Sequence, residues 1–356
     1  MIRIQKILLL VLAIILLTIM TGISFFFADK LIAKRPLVTF SPNYYAGVLK
    51  PFSIEDENIS KKEKGIFDIT EIHPNVKTEW WYVNSHLFSD GILRYTLMIS
   101  LLTDGKVFAG FTDIQGKEHN KVESLTGTEF LTNRKKIVAP FMEFTQPYTN
   151  FLCYTYNFDG PRVKLWLEMC ANKKPVAMGE TSIIRMGLNG KSSYYSITNL
   201  SIQGSAEVDG KKFNLTGKGW MDRQWGTWSD EDFDQWQWIA IQLPNDTEIM
   251  VYNFTKNDHD IADTCSVVWP DGKAQHNLKY SLETFDYWLS IRTGISWPVG
   301  WHLKIESLKA DFLITPDINN QEISRALWEG GCTVHGTFQG TPVYARAFFE
   351  TRRRAW

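Results

Sequence analysis

Excess charge of either sign is missing from this chain: 38 Lys and Arg stand against 39 Asp and Glu, a formal net charge of −1. That balance argues against a nucleic-acid footprint and against strong electrostatic steering. Cysteine is scarce, four in 356 residues with no C-x-x-C spacing, so the sequence writes neither a metal finger nor a dithiol motif. Helical periodicity is hard to find beyond the N-terminus, where residues 120 to 126 and 319 to 326 are the short candidates. There is no Walker loop and no G-x-S-x-G elbow. The run Gly217 to Asp222 begins like a dinucleotide fingerprint, but an aspartate stands where the third glycine belongs and no βαβ pattern surrounds it. His73, His86, His119, His259, His276, His302 and His335 show no metal-binding spacing and are read as hydrogen-bonded or surface histidines. No metal, no cofactor and no nucleic-acid partner is expected, and protein partners stay open.

What is abundant is aromatic: 14 Trp, 13 Tyr and 22 Phe in a chain that is 44% hydrophobic. Large aromatics favour strands and also line apolar ligand pockets, and both readings stay open here. The N-terminus stands apart. Residues 7 to 28 carry no charge, and 22 helical positions span roughly 33 Å, enough for a bilayer core. Ala28 is the one small residue placed for signal cleavage, and the bulky Phe26 sits at its minus-three position. An uncleaved transmembrane anchor over residues 1 to 29 is therefore expected. Positive charges flank the span on both sides, so orientation rests on the habit of N-terminal signal anchors, with the soluble part periplasmic or otherwise extracytoplasmic. Arg352, Arg353 and Arg354 at the other end read as a solvated terminus.

Residues 30 to 65, with Pro36, Pro42, Pro51 and the charged run EDENISKKEK, read as a linker. Beyond it, Asp-Gly recurs at 90–91, 104–105, 159–160, 209–210 and 271–272, each a hairpin signal because this dipeptide tolerates positive φ. Between the turns, side chains alternate. Trp81, Val83 and Leu87 share one face, while Trp80, Tyr82, Asn84 and His86 share the other; Tyr95, Leu97, Ile99 and Leu101 line up likewise. Trp236, Trp238, Ala240 and Gln242 oppose Ile239 and Ile241. The class is all-β, with closed or nearly closed antiparallel barrels that solve the edge-strand problem. Two β domains are expected, residues 66–203 and 204–356. Cys153 and Cys170 flank the Asp159-Gly160 turn, so they are placed either to bond across a hairpin or to stay as buried thiols.

Three acids sit beside indoles: Glu79 in TEWWYVNSHL, Asp222 in GKGWMDRQWG and Glu329 in LWEGGCTVHG. Each has a structural reading, a carboxylate pairing with Arg or an indole N–H. EWWY, SYYS, GKGWMDRQWG, QWQWIAIQLPNDTEIMVY and LWEGGCTVHG, in this order over roughly residues 66 to 340, resemble the AttH/CrtC family, which includes the carotenoid 1,2-hydratases. The resemblance implies two tandem lipocalin-like barrels and a cavity near their junction suited to isoprenoids or other apolar chains. In the hydratase branch the acid of the W-x-D motif protonates a terminal alkene. That role falls on Asp222, with Trp220 and Trp225 as walls and Tyr194 and Tyr195 matching an upstream aromatic pair. Trp80, Tyr82, Trp236 and Trp238 complete the expected substrate-binding set, with Glu79 and Glu329 as further candidate acids. The family often has His after the Asp; here Arg223 stands, and the ending ETRRRAW also departs.

The chemistry is consistent with that role. Burial among indoles favours a neutral carboxyl. A neutral acid in a dry pocket can protonate a double bond, and indole faces then hold the carbocation. Water adds, or an internal double bond closes a ring. Arg223 decides the matter: paired with Asp222 it would keep the acid ionised, whereas strand alternation sends it to the opposite face. The expected function is a membrane-tethered hydratase or cyclase of an apolar unsaturated lipid. The alternatives are a lipid carrier or envelope chaperone, and an assembly factor with a filled barrel.

Overall fold

Short alternating runs separated by Asp-Gly turns produce an all-β fold, as the pattern predicts. The computed structural model describes residues 68 to 354, apart from Thr70, Pro74, Thr126, residues 132 to 134 and residues 148 to 151. The expected membrane span at residues 7 to 28 and the linker at 30 to 65 lie outside the described residues. Among the described residues, no helix is long and apolar enough to cross a membrane.

The strands form two sheets, one of 13 strands and one of nine. In the first, β1 (Thr78–Ser89), β2 (Ile92–Leu102), β3 (Val107–Asp113) and β4 (Glu118–Leu125) run from the centre to one edge. From the other edge come β5 (Glu129–Leu131), β6 (Lys136–Ala139), β7 (Met142–Thr145), β8 (Cys153–Asp159) and β9 (Val163–Ala171). The short β10 (Val176–Ala177) and β11 (Ile183–Met186) pair with the long β12 (Gly190–Val208), and β13 (Lys211–Thr227) joins β12 to β1. The second sheet starts with β14 (Gln235–Gln242), β15 (Glu248–Lys256), β16 (His259–Val268) and β17 (Ala274–Gln275). It continues with β18 (Ser281–Leu289), β19 (Ser296–Ile305), β20 (Ala310–Pro316), β21 (Leu327–Phe338) and β22 (Thr341–Arg353), which pairs with β14. The pairings are antiparallel, and both sheets are curled in the manner of half-barrels.

All five Asp-Gly pairs sit in hairpin turns, and Asp90, Gly91, Asp209 and Gly210 take the positive φ that two-residue turns require. The two short helical expectations fail. Residues 118 to 125 form β4, whose pairing with β3 overrides a weak local preference, and residues 319 to 326 are a loop containing one isolated bridge. The expected change of domain between residues 203 and 204 falls inside β12. The chain leaves the first sheet only after β13 and crosses through residues 228 to 234, where Ser229 caps a single 3-10 turn, Asp230–Asp232.

Alternation divides the buried side chains into three layers. The first sheet encloses one core with Trp81, Tyr95, Leu97, Leu167 and Met221, and the second encloses another with Ile239, Ile241, Trp301, Trp328 and Phe349. A third layer lies where the sheets pack together and includes Tyr82, Tyr194, Trp220, Trp238 and Phe348. Two glycines permit that approach. A Cβ on Gly331 would stand 2.5 Å from Thr96 of the first sheet, and one on Gly330 would overlap Gln321. A polar seam fastens the layer. Glu248, fully buried, accepts from Lys173 Nζ at 2.6 Å, Thr198 Oγ1 at 2.9 Å and Asn199 Nδ2 at 2.8 Å, all on the first-sheet side. Gln242 Nε2 donates to the carbonyls of Thr198 and Gly219.

Cys153 and Cys170 stand opposite each other on β8 and β9 and form a disulfide, while Cys265 and Cys332 are free and buried. The bond closes a loop with a sequence separation of 17 residues. Replacing both with serine is expected to lower stability by about 3 kcal/mol, read from the denaturant midpoint.

Candidate functional site

The site is built on β13, held between β1 and β12 with Asp222 level with Tyr82 on one side and Ser196 on the other. Strand alternation splits the motif between two faces. Met221, Arg223 and Trp225 turn to the first core, and Trp220, Asp222 and Gln224 turn to the layer between the sheets.

On the core side, Arg223 has no exposure and pairs with Glu79, which is 1% exposed. Glu79 also accepts from the backbone N–H of His73 at 3.0 Å, and its Oε1 lies 2.8 Å from the His73 ring. The guanidinium lies 3.7 Å over the Trp81 ring. Burial pushes the Glu79 pKa up, but His73 and Arg223 outweigh it and hold the carboxyl below its ordinary value. Glu79 is thus an ionised structural partner on the face away from Asp222. Trp225 belongs to the same face, stacked on His73 at 4.0 Å and on Tyr195 at 5.7 Å. Tyr195 and Trp225, expected as substrate-binding residues, are therefore wall-less here: both lie behind the strand, because nearness in sequence to Asp222 is not a shared face.

On the inner side, Asp222 is 4% exposed. Its carboxylate accepts from Trp220 Nε1 at 2.6 Å, from Ser196 Oγ, and from the Tyr194 hydroxyl at 3.0 Å, which itself accepts from Trp238 Nε1 at 2.8 Å. Burial pushes the Asp222 pKa up to about 7, against the pull of these donors. The acid faces a cavity of about 590 Å³ between the sheets, within the range of small-molecule sites. Trp80, Tyr82, Tyr194 and Asp222 line it from the first sheet, and Trp236, Trp238 and Glu329 from the second. Trp220 is fully buried behind the wall and reaches the site through its N–H on Asp222. Exposed Lys77, Asp104, Lys106 and Asp230 surround the opening.

Sequence reasoning missed Glu350, Tyr252, Ser196 and Arg352. Glu350 stands directly opposite Glu329 on β21 and β22 and accepts from Trp236 Nε1 at 2.9 Å. Burial pushes it up to about 7; burial and the Glu350 charge push Glu329 well above the carboxylate range. The signal was the alternation of AFFETRRR, in which Phe348, Glu350 and Arg352 share a face. Arg352 is not a solvated terminus: it lies 4.5 Å over Trp236 and bonds Asp230. Among the described residues no group of three or more His, Cys, Asp or Glu is arranged to hold a metal ion.

A family model described as AttH-like matches residues 110 to 350. No curated protein sequence matches the chain. Among solved structures, kievitone hydratase from Nectria haematococca is similar with a TM-score of 0.71 and 18% identity, covering 86% of this chain and 97% of its own. A protein from Nitrosomonas europaea described as an AttH is similar with a TM-score of 0.67 and 19% identity, over 80% of this chain and 95% of its own. The structure of CghA with Sch210972 has a TM-score of 0.53 and 11% identity, over 88% and 97%. At these identities the likeness establishes the fold.

The two buried acids on either side of β13 predict opposite effects. Glu79→Gln leaves Arg223 buried without its counter-charge and is expected to cost about 3–5 kcal/mol in a denaturant titration. Glu350→Gln should do the reverse. A folded pKa raised to about 7 means the native state binds the proton more tightly than the unfolded chain, so stability falls as pH rises through the window from about 4.5 to 7. The variant escapes that loss, and its melting temperature should match the parent at pH 5 and exceed it by roughly a few degrees at pH 8.

Proposed function

Since this chain belongs to the AttH-like family, we propose that the cavity between its sheets carries out acid-catalysed hydration or cyclisation of an apolar unsaturated molecule, with Asp222 as general acid. The observation that carries the reading is the separation of Asp222 from Arg223. The acid is dry, holds its proton up to about pH 7, and has no cationic partner among its hydrogen-bond donors. The hydratase named among the structural relatives supports the reaction class.

In the proposed reaction the Asp222 proton passes to one alkene carbon, and the other becomes a carbocation. Three preorganised donors, Ser196, Trp220 and Tyr194, receive the negative charge left on Asp222. The faces of Trp80, Trp236 and Trp238 attract the cation, an effect of about 2 kcal/mol or more in a dry site. Water then adds and its surplus proton returns to Asp222, so that alkene and water become alcohol with the catalyst restored. Where an internal double bond attacks instead, a ring closes, a proton is lost and the product is an isomer.

The reading includes a tether at residues 7 to 28 that keeps the β fold at a membrane surface, where apolar substrates collect. The Cys153–Cys170 disulfide supports an oxidising, extracytoplasmic compartment. A lipid carrier or envelope chaperone is the competing function. The third alternative, a filled barrel, is disfavoured by the open cavity.

The purified full-length chain and its Asp222→Asn variant are incubated with kievitone and with a lipid extract of the native host, and products are read by mass spectrometry. A species one water heavier, or an isomer of unchanged mass, should form with the parent and fall at least about 100-fold with the variant. The parent rate should decline about tenfold per unit above pH 7, as Asp222 loses the proton it donates. The same unaltered lipid bound by both proteins would leave a carrier.

A further inference from the structure

The wall facing Asp222 holds two carboxyl groups that the proposed proton transfer does not require. Glu329 and Glu350 are cross-strand partners, so they leave the same face of the sheet with Cβ atoms about 5 Å apart. Both line the cavity. Two carboxyls so placed repel once both are ionised, which weakens the strand pairing. Glu350 is met by the Trp236 N–H, and the Tyr82 hydroxyl serves Glu329, but Glu329 Oε1 is buried with no hydrogen-bond partner from the protein, although the residue is only 2% exposed. A buried carboxylate oxygen left open in a cavity wall is an acceptor awaiting a donor.

The surroundings define the donor. Trp236 and Tyr252 meet edge to face with ring centroids 5.9 Å apart, and Trp80 approaches Trp236 at 6.5 Å, so aromatic rings frame the pair. Ring faces attract cations and carboxylates attract them more strongly. Arg352, the cation whose charge acts on Glu350, lies on the Trp236 ring and is shared with Asp230 at the opening, so it does not meet the open oxygen of Glu329. A metal ion is a poor fit, since no three of the cavity carboxyls are disposed as ligands. We infer that Glu329 and Glu350, framed by Trp236 and Tyr252, form a subsite for the ammonium group of an amphiphilic amine, whose apolar part extends along the aromatic wall toward Asp222. The subsite goes beyond the proposed reaction and does not depend on turnover: it would serve a carrier as well as an enzyme.

The test uses three probes of one shape, benzylammonium, benzyl alcohol and benzoate, titrated into the purified full-length chain at pH 8 by calorimetry. Benzylammonium should bind at least tenfold more tightly than benzyl alcohol, and benzoate should be excluded. The preference for the cation should disappear in Glu329→Gln and in Glu350→Gln, each of which keeps the shape of the wall and removes a carboxyl that would pair with the ammonium group. Asp222→Asn, which is expected to stop turnover, should keep most of the preference, so loss of catalysis and loss of the subsite are read separately. Equal binding of amine and alcohol, absence of benzylammonium binding, or a preference that survives both glutamine variants would overturn the inference. Because the parent protein alone gives the amine-to-alcohol ratio, the result stands even if one variant fails to fold.

Discussion

Side chains along a strand point alternately to opposite faces, and on β13 that constraint separates two charges that would otherwise cancel. Arg223 goes to the first core and meets Glu79; Asp222 goes to the layer between the sheets and meets only neutral donors. Each charge is then handled locally. The arginine keeps its charge, its pKa lowered by burial only to about 10, and the pair is compensated within a packed core. The aspartate has no such compensation, and its proton is held instead. A shift of β13 by one residue against its neighbours would exchange the two environments and abolish the site.

The acidity of Asp222 is also a property of two sheets rather than one. Its hydrogen-bond donors Ser196, Tyr194 and Trp220 all belong to the first sheet, but the donor behind Tyr194 is Trp238, from the second. The desolvation that raises the pKa exists only while the second sheet covers β13. Gly330 and Gly331 allow that cover to come close, which gives the glycine pair following Glu329 a packing role alongside the chemistry of its neighbour. The likeness to kievitone hydratase spans nearly the whole of that protein, so both sheets belong to the shared fold.

Much of this was legible in the sequence because two local rules held throughout. Asp-Gly pairs marked hairpin turns, four of the five with positive φ at the glycine, and alternation in WWYVNSHL, LRYTLMISLL and WQWIAIQL separated the enclosed cores from the layer between the sheets. The failures share a cause. Tyr195 and Trp225 were grouped with Tyr194 and Asp222 through motif membership, although an odd offset on a strand places them behind it. Glu350 went unnoticed because its partner Glu329 is 21 positions away, and only the pairing of β21 with β22 brings them together. The expected boundary at 203/204 ignored the fact that β12 needs β13 on one side and β9 on the other. Arg352 looked like a solvated end because nothing local announces that β22 continues to Arg353.

The seam around Glu248 has a consequence for how the sheets can move apart. Lys173, Thr198 and Asn199 converge on a single carboxylate from the opposite sheet, and Gln242 adds two bonds to backbone carbonyls beside them. To part the sheets like a clamshell, the chain would have to strip a buried acid of three donors at once, one of them its cation, a step that costs about 3–5 kcal/mol for the ion pair alone. The exposed part of the cavity lining is the charged rim of Lys77, Asp104, Lys106 and Asp230. The two sheets are thus fastened along one side of the cavity, and its charged rim lies on other residues, which line it.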